Sequence, residues 1–277
     1  MKLKQWQVDA FATQVFRGNP AAVVPLDSWL ASETMQAIAR ENNLAETAFF
    51  VRRDEAAYDL RWFTPSMEVP MCGHATLASA WVIFSELAPH LAAVEFSAKC
   101  GMLIVENSPD GYHRMSLPAG RTEPFSMAGD FAAELGEALG APPPGKMLLA
   151  PTGAGGTPGI VAIWPESVLR DLQPSVSLAP VLASVNAGGL LATARAESAD
   201  HDFISRFFAP GMGVPEDPVT GSMHATLAPF WARELDKTDL RAFQASPRGG
   251  HLRCTVAEAR VILSGPCALY LRGEIYL

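Results

Sequence analysis

An internal repeat is the feature that most constrains this chain of 277 residues. Residues 61–70 (RWFTPSMEVP) align without a gap with residues 206–215 (RFFAPGMGVP), and six positions are identical. The pentapeptide HATLA then follows in both copies, at residues 74–78 and 224–228. Because the copies lie about half the chain apart, they predict two homologous halves related by a pseudo-twofold axis. Coincidence of common residues is the alternative, but it rarely places two matches in the same order.

The hydrophobic pattern predicts an α+β fold with two pseudo-symmetric halves, each a curved, barrel-like and mainly antiparallel sheet around a central helix. Short apolar or alternating segments rich in β-branched and aromatic residues predict the strands. Two long apolar segments with few charges, residues 73–87 and 221–235, predict central helices that are buried all round. We place the halves at residues 1–118 and 119–265, and we expect the C-terminal strand, about residues 266–277, to join the first half.

Two further segments bear on the architecture. Residues 127–139 predict a helix in the second half, and the proline-rich residues that follow end it. The glycine-rich residues 153–159 are interpreted as a plain loop. A phosphate-binding loop leads into a helix, whereas the residues after this loop predict a strand.

Composition excludes several classes of protein. The 21 basic and 29 acidic residues give a net charge of -8, shared evenly between residues 1–118 and 119–277. Neither half therefore offers a basic face to nucleic acid or to an anionic membrane. The first twelve residues lack the apolar segment of a signal peptide, and the longest nearly uncharged stretch, 71–85, is too short to span a membrane. We expect a cytoplasmic protein whose four cysteines are reduced, three of them as small buried hydrophobes.

A glycine begins the apolar helix in both copies, Gly73 in the first and Gly221 in the second. A helix N-terminus presents unpaired backbone N–H groups and a partial positive charge, and glycine lets a ligand approach the backbone closely. Because both copies share the feature, we expect the helix starts to bind an anion such as a carboxylate in a cleft shared by the halves. The alternative is that these glycines only permit the turn.

Side chains able to carry chemistry lie near the first glycine. Cys72 and His74 flank Gly73, and this spacing is compatible with a thiolate–imidazole pair. Glu46 begins an apolar strand, where an acidic residue is seldom buried without a partner or a purpose. A strand-edge glutamate that faces water is an equally good interpretation of Glu46.

In the second copy, Asp217 and Ser222 lie near Gly221. Neither copy holds the several Cys and His ligands of a zinc site, so no metal is expected. A serine hydrolase is also disfavoured because the chain lacks a G-x-S-x-G motif. We expect the remaining histidines outside the repeat to lie at the surface: His90, His113, His201 and His251.

Five motifs, in order along the chain, resemble the phenazine-biosynthesis isomerase family (PhzF-like proteins). They are DAF at residues 9–11, GNP at 18–20, NLAETAF at 43–49, CGHAT at 72–76 and EDPVTGS at 216–222. Gln244 and the segments 264–265 and 272–274 extend the resemblance over essentially the whole chain. It implies the diaminopimelate-epimerase-like fold, an active site between the halves, a homodimer and no cofactor.

The resemblance also implies roles for the matching residues. Glu46 matches the general acid/base of the family, and His74 and Asp217 match the residues that assist proton movement and bind substrate. The positions that match substrate-contacting residues are Asn19, Gly73, Gly221 and Ser222, with Cys72 beside them. The implied reaction is a cofactor-free proton transfer that moves a double bond on a small cyclic carboxylate.

Three functions remain open from the sequence. An isomerase that depends on Glu46 is the first. The second is a non-catalytic protein that binds small carboxylates on the same scaffold. The third is an epimerase that depends on Cys72, although related two-base epimerases use a second cysteine and this chain has Asp217 and Pro218 in that region.

Overall fold

The computed structural model describes residues 1–125, 130–151 and 157–277. The chain forms two compact units. Unit 1 comprises Met1–Leu117 and Ile262–Leu277, and unit 2 comprises Pro118–Val261. Among the described residues, no helix is long and apolar enough to cross a membrane.

Unit 1 is a sheet with two helices. Its helices are α1 (Ser32–Asn42) and α2 (Gly73–Val82), and one π-helical turn, Ile83–Leu87, continues α2. Its strands are β1 (Lys2–Ala10), β2 (Asn19–Leu26), β3 (Glu46–Arg52), β4 (Ala57–Phe63), β5 (Glu68–Val69), β6 (Ala93–Ala98), β7 (Gly101–Glu106), β8 (His113–Pro118) and β18 (Cys267–Tyr276).

The strands of unit 1 pair in both directions. β1 is antiparallel to β18 and to β2, and β2 is parallel to β3. β3 is antiparallel to β4, which pairs with β5 in an antiparallel and with β6 in a parallel arrangement. β6, β7 and β8 are antiparallel neighbours. A parallel pair needs a long crossover, and here α1 lies in the connection from β2 to β3 and α2 in that from β4 to β6.

Among the described residues, unit 2 contains more α-helices than unit 1. Its helices are α3 (Phe131–Ala138), α4 (Glu166–Asp171), α5 (Leu178–Ser184) and α6 (Gly221–Leu235). Its strands are β9 (Glu123–Pro124), β10 (Lys146–Ala150), β11 (Gly159–Ile163), β12 (Gly189–Arg195), β13 (Phe203–Ala209), β14 (Val214–Asp217), β15 (Asp239–Gln244) and β16 (Gly250–Ala257). The chain returns to unit 1 within β17 (Arg260–Gly265).

Unit 2 repeats the pairing order of unit 1. β10 is antiparallel to β11, β11 is parallel to β12, and β12 is antiparallel to β13. β13 pairs with β14 in an antiparallel and with β15 in a parallel arrangement, and β15 is antiparallel to β16. The predicted α+β fold with pseudo-symmetric halves is confirmed. The sequence analysis predicted a mainly antiparallel sheet in each half and did not predict these individual parallel pairs.

The central helix of each unit is buried along most of its length, as predicted. In α2, Trp81 alone among residues 73–82 is partly exposed, and the helix packs against β1, β2, β3 and β18. In α6, residues 223–231 are all buried, and the helix packs against β15 and β16. Burial on every side explains why these segments carry few charges.

The other helices cover the sheets with one apolar face each. Met35, Ile38 and Ala39 of α1 pack against residues of β2, β3 and β4 in unit 1. In unit 2, apolar residues of α3, α4 and α5 pack with those of β11, β12 and β13. The helix predicted at 127–139 is confirmed over Phe131–Ala138. Its first three residues, and residues 153–156 of the predicted loop, lie outside the described residues.

An arginine–glutamate ion pair joins the two strands of the repeated hairpin in each unit. Arg61 of β4 binds both carboxylate oxygens of Glu68 in β5, through Nε and Nη2, at 2.8 and 2.9 Å. Arg206 of β13, its counterpart in the repeat, binds Glu216 of β14 in the same way at 2.8 and 2.9 Å. Nη1 of Arg206 also donates to main-chain oxygens at the end of α4, among them that of Leu172 at 2.7 Å.

The two arginines provide a matched test of burial. Replacing the buried Arg206 by Met leaves the partly buried Glu216 carboxylate and several carbonyl oxygens without this donor. We expect the free energy of unfolding to fall by about 3 kcal/mol, the lower end of the range for a buried pair. Arg61→Met should cost only about 1–2 kcal/mol, because this pair is more exposed and Lys99 still binds Glu68 at 2.8 Å. Urea unfolding of both variants measures the difference. Equal losses would contradict the structural role assigned to Arg206.

Candidate active site

Glu46 and His74 form a close carboxylate–imidazole pair in unit 1. Oε2 of Glu46, the first residue of β3, lies 3.1 Å from Nε2 of His74, the second residue of α2. His74 is buried, and the Glu46 side chain is 18% exposed. The two atoms are within ion-pair distance but are not aligned as a hydrogen bond, and neither has a hydrogen-bond partner among the described residues. The interpretation of Glu46 as a strand-edge residue facing water is therefore wrong.

Asn19 holds the opposite side of the imidazole ring. Its Nδ2 lies 3.1 Å from Nδ1 of His74, and the side chain is fully buried. The parallel pairing of β2 with β3 brings Asn19 and Glu46 to the same edge of the sheet, since each begins its strand. The preceding Gly18 has φ +62°, and a Cβ there would lie 2.1 Å from the Ala10 oxygen, so this turn requires glycine.

Cys72 completes the group at the start of α2. Its Sγ lies 3.5 Å from Nδ1 of His74, and it is the residue that precedes Gly73. Burial, reinforced by the nearby Glu46 carboxylate, raises the pKa of the Cys72 thiol to about 11. The thiol is therefore protonated near neutral pH, and it is a poor base in this state.

The electrostatic surroundings of His74 favour its charged form. Burial lowers the pKa of His74, whereas negative charge on its neighbours raises it, and the net shift is upward. With the Cys72 thiol protonated, the Glu46 carboxylate is the neighbour that favours the charged ring. No side chain caps the N-terminus of α2, so its first N–H groups remain available to an anion. Unit 1 thus brings together Asn19, Glu46, Cys72, Gly73 and His74.

Asp217 belongs to a hydrogen-bonded group in unit 2. The hydroxyl of Thr220 donates a short hydrogen bond to Oδ2 of Asp217. Gln244, fully buried at the end of β15, accepts the N–H of Thr220 at 2.8 Å and donates to the main-chain oxygen of Asp217 at 2.7 Å. The Ser246 hydroxyl donates to the oxygen of Pro218 at 2.7 Å. These bonds fix the turn that leads into α6.

Gly221 and Ser222 are the first two residues of α6. Gly221 is buried and Ser222 is partly exposed. The N-terminus of α6, like that of α2, has no side-chain cap. Sequence reasoning named Gln244 only as part of a family resemblance and did not single out Thr220. The signal it missed was an uncharged polar residue, Gln244, that follows Leu240 and Ala242 on the buried face of β15.

Identical pentapeptides have different roles in the two units. α2 begins one residue before His74, whereas α6 begins three residues before His224. Nδ1 of His224 donates to the Thr220 oxygen at 2.8 Å, and the Ser205 hydroxyl lies 3.2 Å from Nε2. His224 is fully buried, and burial lowers its pKa to about 4. Its hydrogen-bonding capacity is satisfied within the core, unlike that of His74.

Two predictions about other residues are wrong. His113 is buried rather than at the surface, and burial lowers its pKa. Cys100 is exposed rather than buried, whereas Cys254 is buried and Cys267 is partly buried. Cys100 lies in the turn between β6 and β7, where side chains face water, and His113 begins β8 on its buried face.

The chain matches known proteins over its whole length. The family model described as "Phenazine biosynthesis-like protein" matches residues 8–273. A protein of Pseudomonas aeruginosa named an uncharacterized isomerase is 44% identical over 277 residues, which cover 100% of both chains. The crystal structure of a PhzF-family phenazine biosynthesis protein of Enterococcus faecalis has a TM-score of 0.90 and 39% identity, with 100% of both chains covered.

A more distant likeness concerns the fold alone. The crystal structure of a probable proline racemase from Agrobacterium radiobacter has a TM-score of 0.64 at 9% identity, and the match covers 99% of this chain and 93% of that one. The two-unit architecture is therefore shared beyond proteins with similar sequences.

The low pKa of His224 predicts acid sensitivity. Unfolded chains protonate this residue near pH 6.5, whereas the folded protein does so near pH 4. The neutral, buried His224 therefore contributes its full stabilisation above about pH 6.5. As the pH falls from 6.5 to 4, the free energy of unfolding decreases by about 3 kcal/mol because the unfolded chain binds the proton first. We expect the free energy of unfolding to fall less over this range in His224→Gln than in the unsubstituted protein. Replacing the exposed His90 by Gln is the control, and equal pH profiles for all three proteins would contradict the assignment.

Proposed function

Because the chain belongs to the phenazine biosynthesis-like (PhzF-like) protein family, we propose that it is a cofactor-independent isomerase. In this proposal, the enzyme moves a proton, and with it a double bond, on a small carboxylate substrate. Glu46 is the general acid/base. Relatives that carry the name isomerase over their full length support the class of reaction.

The pairing of Glu46 with His74 is the observation that carries this proposal. A carboxylate that acts on a carbon acid must be shielded from water yet reachable by substrate, and Glu46 is mostly buried but not closed off. Its Oε2 has no hydrogen-bond partner among the described residues. That atom is thus available to take up a substrate proton and return it at another carbon.

His74 supports the reaction through charge and position. The Glu46 carboxylate raises the pKa of His74 and so favours the cationic ring, which stabilises negative charge that develops on an enolate-like substrate. Asn19 fixes the ring from the other side. Within this proposal, the uncapped N–H groups at Gly73 bind the substrate carboxylate.

Asp217, Gly221 and Ser222 are proposed as substrate-binding residues from unit 2. Support comes from the turn that Thr220, Gln244 and Ser246 fix before α6, since a rigid turn holds a carboxylate and a helix start in one geometry. Homodimerisation and a cytoplasmic location stay predictions from the family resemblance and the composition.

An epimerase that depends on Cys72 is the second candidate. The contact of 3.5 Å between Cys72 Sγ and His74 Nδ1 favours it. The raised pKa of the Cys72 thiol disfavours it, because the thiolate is the form that abstracts protons. A non-catalytic carboxylate-binding protein remains the third candidate, and it would bind ligands independently of Glu46.

Deuterium incorporation tests the role of Glu46. The protein is incubated in heavy water with a panel of small cyclic and amino carboxylates, and mass spectrometry reads the label. We expect Glu46→Gln to incorporate label about 10²–10⁴-fold more slowly than the unsubstituted protein, the usual contribution of a general base. Glu41→Gln, at an exposed position of α1, is the matched control. Equal rates for both variants would refute the proposal, and label from no compound would favour the binding protein.

The same assay separates the isomerase from the thiol-dependent epimerase. Cys72→Ser keeps a small polar side chain before α2, and we expect exchange to stay within about tenfold of the unsubstituted rate, less than the loss of a proton-transfer group causes. A loss as large as that of Glu46→Gln would assign the proton transfer to Cys72.

A further inference from the structure

Glu46, Cys72 and His74 together offer three kinds of metal-binding atom. Each residue contributes one such atom, a carboxylate oxygen, a sulfur or an imidazole nitrogen, and the three atoms all lie within 4.8 Å of one another. We propose that this group is a binding site for a divalent transition-metal ion of the Zn²⁺ class. This revises the expectation of no metal, which considered only ligands adjacent in sequence and therefore did not include Glu46 of β3.

The donor set selects the class of ion. Zn²⁺ is bound by sulfur, nitrogen and oxygen ligands, and sites with three protein ligands keep a fourth position for water or another small ligand. Mg²⁺ and Ca²⁺ prefer sites made of oxygen atoms, and a thiol and an imidazole discriminate against them.

The distances are close to those of a tetrahedral site. With bonds of about 2.0–2.3 Å, the ligand atoms of such a site lie about 3.3–3.6 Å apart. Here Nε2 of His74 lies 3.1 Å from Oε2 of Glu46, which is close to this separation. Sγ of Cys72 lies on the Nδ1 side of the ring, 3.5 Å from that atom, so the thiol must move toward Nε2 to complete the site. Side-chain shifts of about 1 Å suffice to bring all three ligands around one ion, since no pair exceeds 4.8 Å.

Unsatisfied buried atoms point to the same site. Oε2 of Glu46 and Nε2 of His74 are both buried and have no hydrogen-bond partner among the described residues. Leaving such atoms unpaired costs free energy, and a cation bound between them satisfies both. The carboxylate and the thiolate together balance the two positive charges of the ion, so the buried site becomes neutral.

Asn19 orients the imidazole for this role. Ligating histidines usually form a hydrogen bond through the ring nitrogen that does not bind the metal. The Asn19 side-chain amide lies beside Nδ1 of His74, and rotating this amide by 180° presents its oxygen to an Nδ1–H group. Nε2 is then free to bind the ion on the Glu46 side.

Occupancy of this site has a functional consequence that rests on the proposed function. While the Glu46 carboxylate binds an ion, it cannot accept a proton from a substrate. Zn²⁺ would thus be a reversible inhibitor of the isomerase, whereas the binding itself requires no substrate and can be measured without one.

Metal binding to the full-length, chelator-treated protein tests the proposal. We expect isothermal titration with ZnCl₂ to show one strong site per chain and titration with MgCl₂ to show none. Cys72→Ser and His74→Gln should each weaken Zn²⁺ binding at least about tenfold, since even residues that merely orient a ligand contribute about 10–100-fold. Cys100→Ser, which removes an exposed cysteine, and His251→Gln, in the surface pair His201–His251, should bind as the unsubstituted protein does.

A second measurement does not depend on the variants folding. Co²⁺ bound to the unsubstituted protein should show the near-ultraviolet absorption of a cobalt–thiolate bond. No strong Zn²⁺ site, binding that survives both Cys72→Ser and His74→Gln, or Co²⁺ bound without the thiolate band would each overturn the proposal. Failure of Glu46→Gln to slow deuterium exchange would refute the proposed function without affecting this result.

Discussion

Burial of α2 is the constraint on which the rest of unit 1 depends. A helix that is apolar on all sides cannot lie on a sheet with one face in water, so strands must surround it. The helix therefore begins inside the protein, at the buried Gly73, and no side-chain hydrogen bond from the described residues caps it. Glu46, Cys72 and His74 meet at this place. Loss of water raises the pKa of the Cys72 thiol, and it leaves Oε2 of Glu46 and Nε2 of His74 without a hydrogen-bond partner among the described residues.

The repeat shows how two copies of one element diverge. Both units keep the pairing order of their strands and the pentapeptide in the buried helix. The helix starts differ by two residues relative to the pentapeptide. His74 is therefore the second residue of α2, whereas His224 is the fourth residue of α6. His74 therefore contacts a carboxylate, whereas His224 contacts a main-chain oxygen and a serine. The position of a helix start decides what the same five residues can do.

Much of this arrangement could be predicted from sequence. The strands of alternating or apolar pattern, the central helices from Gly73 and Gly221, and the fold class follow from local patterns and from the repeat. Contacts between distant segments could not be predicted in the same way. The parallel pairing of β2 with β3, which brings the starts of the two strands and with them Asn19 and Glu46 to one end of the sheet, depends on a crossover that periodicity does not encode. The hydrogen bond from the Thr220 N–H to the Gln244 side chain also joins residues 24 positions apart, and only the folded backbone brings them together.

The ion pair of Arg206 with Glu216 takes its carboxylate from a different position of the repeat than the pair of Arg61 with Glu68 does. Glu68, the partner of Arg61, aligns with Gly213, which adopts a left-handed backbone conformation (φ +78°) that favours glycine. Glu216 instead lies in the extra residues that separate the second copy from its pentapeptide. Without those residues the buried guanidinium of Arg206 would lack this carboxylate, because a glycine occupies the position of Glu68. The longer segment before α6 thus supplies both the partner of Arg206 and Asp217.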